Sequence, residues 1–63
     1  MSGYRCYFLN GRLIERAESI NAATDQQAVQ EAERVFREKE GRFSGFEVWQ
    51  RGRRVYRYPP DAG

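Results

Sequence analysis

Histidine is absent from this chain, cysteine occurs once at Cys6, and lysine occurs once at Lys39. With no histidine and a single thiol, a zinc site of the usual kind has no ligand set. A lone cysteine also forbids an intrachain disulfide. The commonest general base is missing, and no acidic pair falls in an identifiable cleft. Glycine-rich phosphate loops are missing as well. The expectation is therefore a non-enzyme, with no catalytic residue, no metal and no cofactor. No apolar run approaches the length of a membrane span, and Met1–Arg5 lacks the hydrophobic region of a signal peptide. That leads to a soluble, cytoplasmic protein with no membrane partner.

What remains is arginine, aromatic rings and one amphipathic segment. In Thr24–Glu40, Ala28, Val29, Ala32, Val35 and Phe36 fall within an arc of roughly 120° at the helical period, with Gln30, Arg34, Arg37 and Glu38 on the far side. Thr24 suits the N-cap, Gln27 completes a capping box, and Gly41 suits a left-handed stop. Asp25 in the first turn and Lys39 in the last complement the helix dipole. Glu33 and Arg37 have the favourable i,i+4 order. The alanines let the backbone approach a sheet closely.

Tyr4–Leu9 reads as a strand, Asn10-Gly11 as a type I′ turn, and Arg12–Ile20 as the returning strand. A two-residue turn there opposes Leu9 to Arg12, Phe8 to Leu13, Tyr7 to Ile14 and Cys6 to Glu15. Tyr4, Cys6, Phe8, Leu13 and Ala17 then share one face, with Arg5, Tyr7, Leu9, Ile14 and Arg16 on the other. Glu15 on the helix-covered face is awkward, and a bulge in the second strand or a place at the sheet rim removes the conflict. After the helix, Phe43 is placed over one end of the core. Phe46–Gln50 and Arg53–Tyr58 form a second hairpin about Arg51-Gly52. In that register Val48 faces Val55 and Trp49 faces Arg54, which sends Tyr56 and Tyr58 to the face of Trp49. Pro59-Pro60 cannot extend a ladder.

The whole reads as one α+β domain over residues 1–63, ordered over about 4–58 with a loose tail at 59–63. Its order is β-β-α-β-β: a four-stranded, mainly antiparallel sheet with one helix on one face. A helix about 10–12 Å across cannot cover a sheet roughly 15–19 Å wide on both sides. The uncovered face is expected to present Tyr7, Leu9, Ile14, Trp49, Arg54, Tyr56 and Tyr58, a patch large enough to require a partner.

A chain of 63 residues has little core to spare, and two-fold homodimers are the commonest closed assembly. The leading expectation is an interaction module that forms a homodimer through this aromatic face. A different protein is a second candidate partner. Single-stranded nucleic acid is the third, with bases stacked on the rings and Arg5, Arg16 and Arg54 meeting phosphates. Residues 42–58 hold five arginines against Glu47 alone, although the formal net charge of the chain is only +2. Arginine suits stacked and bidentate contacts, yet its excess over lysine is equally the mark of a GC-rich genome. Glu47 is expected in a cross-strand ion pair with Arg54 rather than in catalysis. Cys6, between Tyr4 and Phe8, is expected as a buried, inert sulfur.

Tyr4-Arg5-Cys6-Tyr7-Phe8-Leu9, Ala22-Ala23-x-Asp25 with Ala28 beyond it, Gly45-Phe46-Glu47-x-Trp49 and Arg54-Val55-Tyr56-Arg57 together resemble a group of short bacterial proteins with a domain of unknown function. The likeness spans almost the whole chain, and Gly-Phe-Glu-x-Trp is its most distinctive part. Typical members have a longer first turn, and smaller residues at the positions of Glu15 and Arg16. The resemblance implies a bacterial protein and carries over no activity, cofactor or catalytic residue.

Overall fold

The computed structural model describes residues 2–39 and 41–60, so the expected loose tail at Asp61-Ala62-Gly63 lies outside the described residues. In chain order the elements are β1 (Ser2–Asn10), β2 (Leu13–Ala22), α1 (Asp25–Glu38), β3 (Gly45–Gln50) and β4 (Arg53–Tyr58). The strands form one antiparallel sheet in the order β2-β1-β3-β4, with α1 laid against one face. The expected architecture is the observed one.

The helix forms where its caps and stripe place it. Thr24 is the N-cap, and its hydroxyl accepts a hydrogen bond from the Gln27 amide at 3.1 Å. The Gln27 side chain accepts in return from the Ala23 amide, one residue before the cap, at 3.1 Å. At the far end Lys39 is the C-cap, and Gly41 takes the left-handed φ of +73°. Ala28 and Ala32 are completely buried, which lets α1 settle closely over the sheet. Beneath it lie Tyr4, Cys6 and Phe8 of β1, Ile20 and Ala22 of β2, and Phe46 and Val48 of β3. Phe43, in the loop after the helix, stacks on Phe8 with ring centroids 5.2 Å apart and closes one end of this core, as expected.

Both hairpins depart from their expected registers, the first by a displaced loop and one extra residue, the second by one extra residue alone. In the first, the loop is Gly11-Arg12 rather than Asn10-Gly11, because Asn10 pairs with Leu13. Only Gly11 has positive φ, at +63°. A type II′ turn asks for that at its first loop position alone, so Arg12 is spared a strained backbone. Leu9 then opposes Ile14, and a bulge follows. Phe8 opposes Arg16, Tyr7 opposes Ala17, and Cys6 opposes Glu18. The expected pairs Tyr7–Ile14, Phe8–Leu13 and Cys6–Glu15 do not form. Glu15 is the residue left out of the ladder, and its carboxylate accepts from the Asn10 side-chain amide at 3.1 Å. Extruding Glu15 sets Ile20 opposite Tyr4 and Ala22 opposite Ser2, which brings both to the helix side. It also exchanges Arg16 and Ala17 between faces, relative to the expected register.

In the second hairpin Arg51 and Gly52 both have positive φ, +50° and +80°, which is the type I′ pattern. Trp49 opposes Arg54 as expected, but Val48 opposes Tyr56 rather than Val55. Val55 is the extra residue. Because side chains alternate with period two, one inserted residue turns all that follow to the opposite face. Tyr56 and Tyr58 therefore stand on the helix side, and their expected place beside Trp49 is corrected. There Tyr58 meets the rings of Phe36 at 5.7 Å and Phe46 at 6.0 Å, while Tyr56 meets Phe46 at 5.7 Å.

Candidate functional site

The open face of the sheet, opposite α1, is the candidate site. Its centre comes from the two inner strands. Tyr7 and Glu47 are directly opposed across β1 and β3, as are Arg5 and Trp49. On β4, Arg54 stands opposite Trp49 and Arg57 opposite Glu47. Trp49 thus has an arginine on the neighbouring strand at either side.

Glu47 organises this centre. It accepts from Trp49 Nε1 at 2.9 Å and from Arg57, and Arg54 Nη1 lies 3.6 Å from the same carboxylate. Its side chain is only 14% exposed. The expected cross-strand pair with Arg54 is present, and Arg57 joins it. A regular strand cannot turn residues 54 and 57 to one face, because their spacing is odd. The bulge at Val55 makes that possible. The Trp49 indole, bonded to a residue two positions back on its own strand, is pinned along the sheet and remains half-buried.

Beside it a shallow depression of about 450 Å³ opens toward one end of the sheet, bordered by Arg5, Tyr7, Ser19, Asn21, Trp49 and Arg51. Of the expected interface residues, the face brings together Tyr7, Leu9, Ile14, Trp49 and Arg54, and it does not include Tyr56 or Tyr58. Leu9 is buried, at 7% exposure, whereas Ile14 near the hairpin tip is 60% exposed. Two residues go beyond the expected set. Arg57 was hidden by the bulge, and Arg51 by its place in a turn. No signal in the sequence pointed to Arg57, since its odd spacing from Arg54 places the two on opposite faces of a regular strand.

Two other clusters lie elsewhere. The Tyr4 hydroxyl donates to Asp25 Oδ1 at 2.7 Å, and Arg53 donates to both carboxylate oxygens at 3.2 and 3.3 Å. Arg53 and then Tyr4 hold the Asp25 carboxyl below its ordinary range, while the bond to Asp25 and then burial push the Tyr4 phenol up. This cluster ties the start of α1 to β1 and to the β3–β4 turn. Cys6 is fully buried, and burial, with a smaller contribution from Glu18, pushes its thiol up to about 12. That suits an inert sulfur, since the thiolate is the reactive form.

No family model, curated protein or solved structure matches the chain. Among the described residues no group of three or more His, Cys, Asp or Glu side chains is arranged to hold a metal ion, and no helix is long and apolar enough to cross a membrane.

Proposed function

We propose that this chain is a small interaction module that acts by binding rather than by catalysis, with the open face of its sheet as the contact surface. The observation that carries this reading is the contrast between the sheet's edges and its face. Each edge strand, β2 and β4, lies in a hairpin interrupted by a bulge, and each is studded with charge: Glu15, Arg16 and Glu18 on one, Arg53, Arg54 and Arg57 on the other. Bulges and charges are the usual protections against strand addition. The open face carries arginines as well, but it also presents aromatic rings with none of the described residues packed over them. Tyr7 and Trp49 sit at its middle on the two inner strands, and no element of the described chain lies over them.

Self-association through this face, the leading expectation from the sequence, keeps Tyr7, Ile14 and Trp49 as its apolar contacts. Loss of Tyr56 and Tyr58 shrinks that apolar area, and the gain of Arg57 makes the surface more basic. Membership in the group of short bacterial proteins is proposed on the same footing and adds no activity.

If the rings are kept for a partner, removing them leaves the fold nearly intact. Tyr7→Ser and Trp49→Ser, both at half-buried positions, are each expected to cost well under the roughly 3–5 kcal/mol of a truncated core ring in urea unfolding. Losses comparable to that of a core ring would make both residues structural and end this reading.

A further inference from the structure

We infer that the open face binds single-stranded nucleic acid, with bases stacked on Trp49 and Tyr7 and the phosphates met by Arg5, Arg51 and Arg54. The inference rests on the interaction-module reading and names the chemistry of the partner.

The first ground is charge. Arg5, Arg54 and Arg57 stand on this face with Glu47 as the one carboxylate of the described residues at its centre, and Arg51 adds a further cation at the depression. Two copies related by a two-fold axis through this face would set these arginines against one another, and like charges brought together across an interface are costly. A polyanion meets the same groups favourably.

The second ground is shape. Trp49 is held along the sheet by its bond to Glu47, so its ring is oriented before any ligand arrives. Tyr7 lies on the adjoining strand, one diagonal step away. Two rings on neighbouring inner strands, one of them held in place and both flanked by arginines, form a stacking platform for unpaired bases. A duplex hides those ring faces inside its own stack. Asn21 and Ser19 line the depression beside them and supply polar groups for base edges or sugar hydroxyls.

The chain contains one tryptophan, so its own fluorescence reports on the proposed contact. The experiment titrates the full chain at low salt with a short oligothymidylate, with a duplex of equal length, and with inorganic phosphate. The expected result is saturable quenching by the single strand, with much weaker effects of the duplex and of phosphate. Three neutralised phosphates imply a fall in affinity of about 20-fold between roughly 50 and 200 mM salt. Tyr7→Leu is expected to weaken binding about tenfold, within the range measured for one lost stacking contact. Arg5→Glu is expected to weaken it strongly, while Arg42→Glu, the same charge change away from this face, leaves it within about twofold. Circular dichroism melts of each variant establish that it is folded.

Absence of quenching at low salt overturns the inference. So does equal loss in the Arg5 and Arg42 variants, which would reduce the effect to net charge. Light scattering run in parallel separates the two levels of the argument. A dimer that dissociates on Trp49→Ser, with no oligonucleotide effect, refutes nucleic acid as the partner and keeps the open face as a contact surface. A monomer that ignores oligonucleotides, and that Trp49→Ser unfolds, refutes both.

Discussion

Three individual residues carry consequences that measurement can reach. Gly45 is buried at the start of β3, and a Cβ placed on it would lie 2.2 Å from the Tyr58 carbonyl oxygen and 2.9 Å from Pro59 Cδ. The obstacle is largely backbone, which cannot swing aside as a side-chain tip can. Gly45→Ala is therefore expected to destabilise the fold by about 1–3 kcal/mol, in the range of overpacking substitutions. An unchanged urea midpoint would show that β4 moves away without cost. Asp25 supplies a pH dependence. Its carboxyl is held below the ordinary value of 3.8 in the folded chain, first by Arg53 and then by Tyr4. As pH falls the unfolded chain takes up the proton first, so the stability from this cluster is present above that value and is lost on further acidification. Asp25→Asn should flatten the acid side of the stability profile, and a profile parallel to that of the parent chain would count against the cluster. Cys6, with its thiol pushed up to about 12, should resist alkylation in native buffer near neutral pH and react readily in urea. Equal rates in the two conditions would contradict its burial.

At the scale of elements, the helix depends on its cap and the hairpins on their bulges. Thr24→Ala removes the acceptor for the Gln27 amide and is expected to cost about 1 kcal/mol, seen as a lowered melting temperature. No change would mean that water satisfies that amide equally well. The bulges at Glu15 and Val55 act chiefly through register, although Val55 itself packs against the core. Each decides which side chains reach which face. Without the second bulge Tyr56 and Tyr58 would leave Phe36 and Phe46, and Arg57 would leave Glu47. The expected alternation in β4 failed at that point because a regular strand admits only one parity.

Over the whole molecule, the limiting quantity is the size of the core. A chain of 63 residues is expected to be stable by only about 3–9 kcal/mol, from typical values per residue. Phe46 is 1% exposed and meets the rings of Phe8, Phe36, Tyr56 and Tyr58. Truncating a buried phenylalanine costs about 3–5 kcal/mol. Phe46→Ala is therefore expected to remove a large part of that reserve and lower the melting temperature steeply, and a transition retained near that of the parent would show that the ring contributes little.

Element order, the helix with its caps, the antiparallel plan, and Tyr4, Cys6, Phe8, Phe46 and Val48 beneath the helix were legible in the chain itself, whereas Leu13 and Ala17, expected on that face, are exposed and β2 contributes Ile20 and Ala22 instead. The legible features follow from local chemistry: the helical period of Ala28, Ala32 and Phe36, the Thr24–Gln27 pair, and turn residues that tolerate positive φ. The Trp49–Arg54 opposition and the pairing of Glu47 with Arg54 were legible for the same reason, since both lie within a few residues of the turn. Of the open face, Tyr7, Leu9, Ile14, Trp49 and Arg54 were legible, and the loss of Tyr56 and Tyr58 and the gain of Arg57 were not. Its membership depends on parity along each strand, and an extruded residue resets that parity at a cost no local propensity records. Bringing Ile20 and Ala22 beneath the helix, setting Tyr58 against Phe36 and Phe46, and drawing Arg57 to Glu47 are rewards that exist only once distant segments meet, so the tertiary structure alone decided that Tyr56 and Tyr58 turn inward and Arg57 outward.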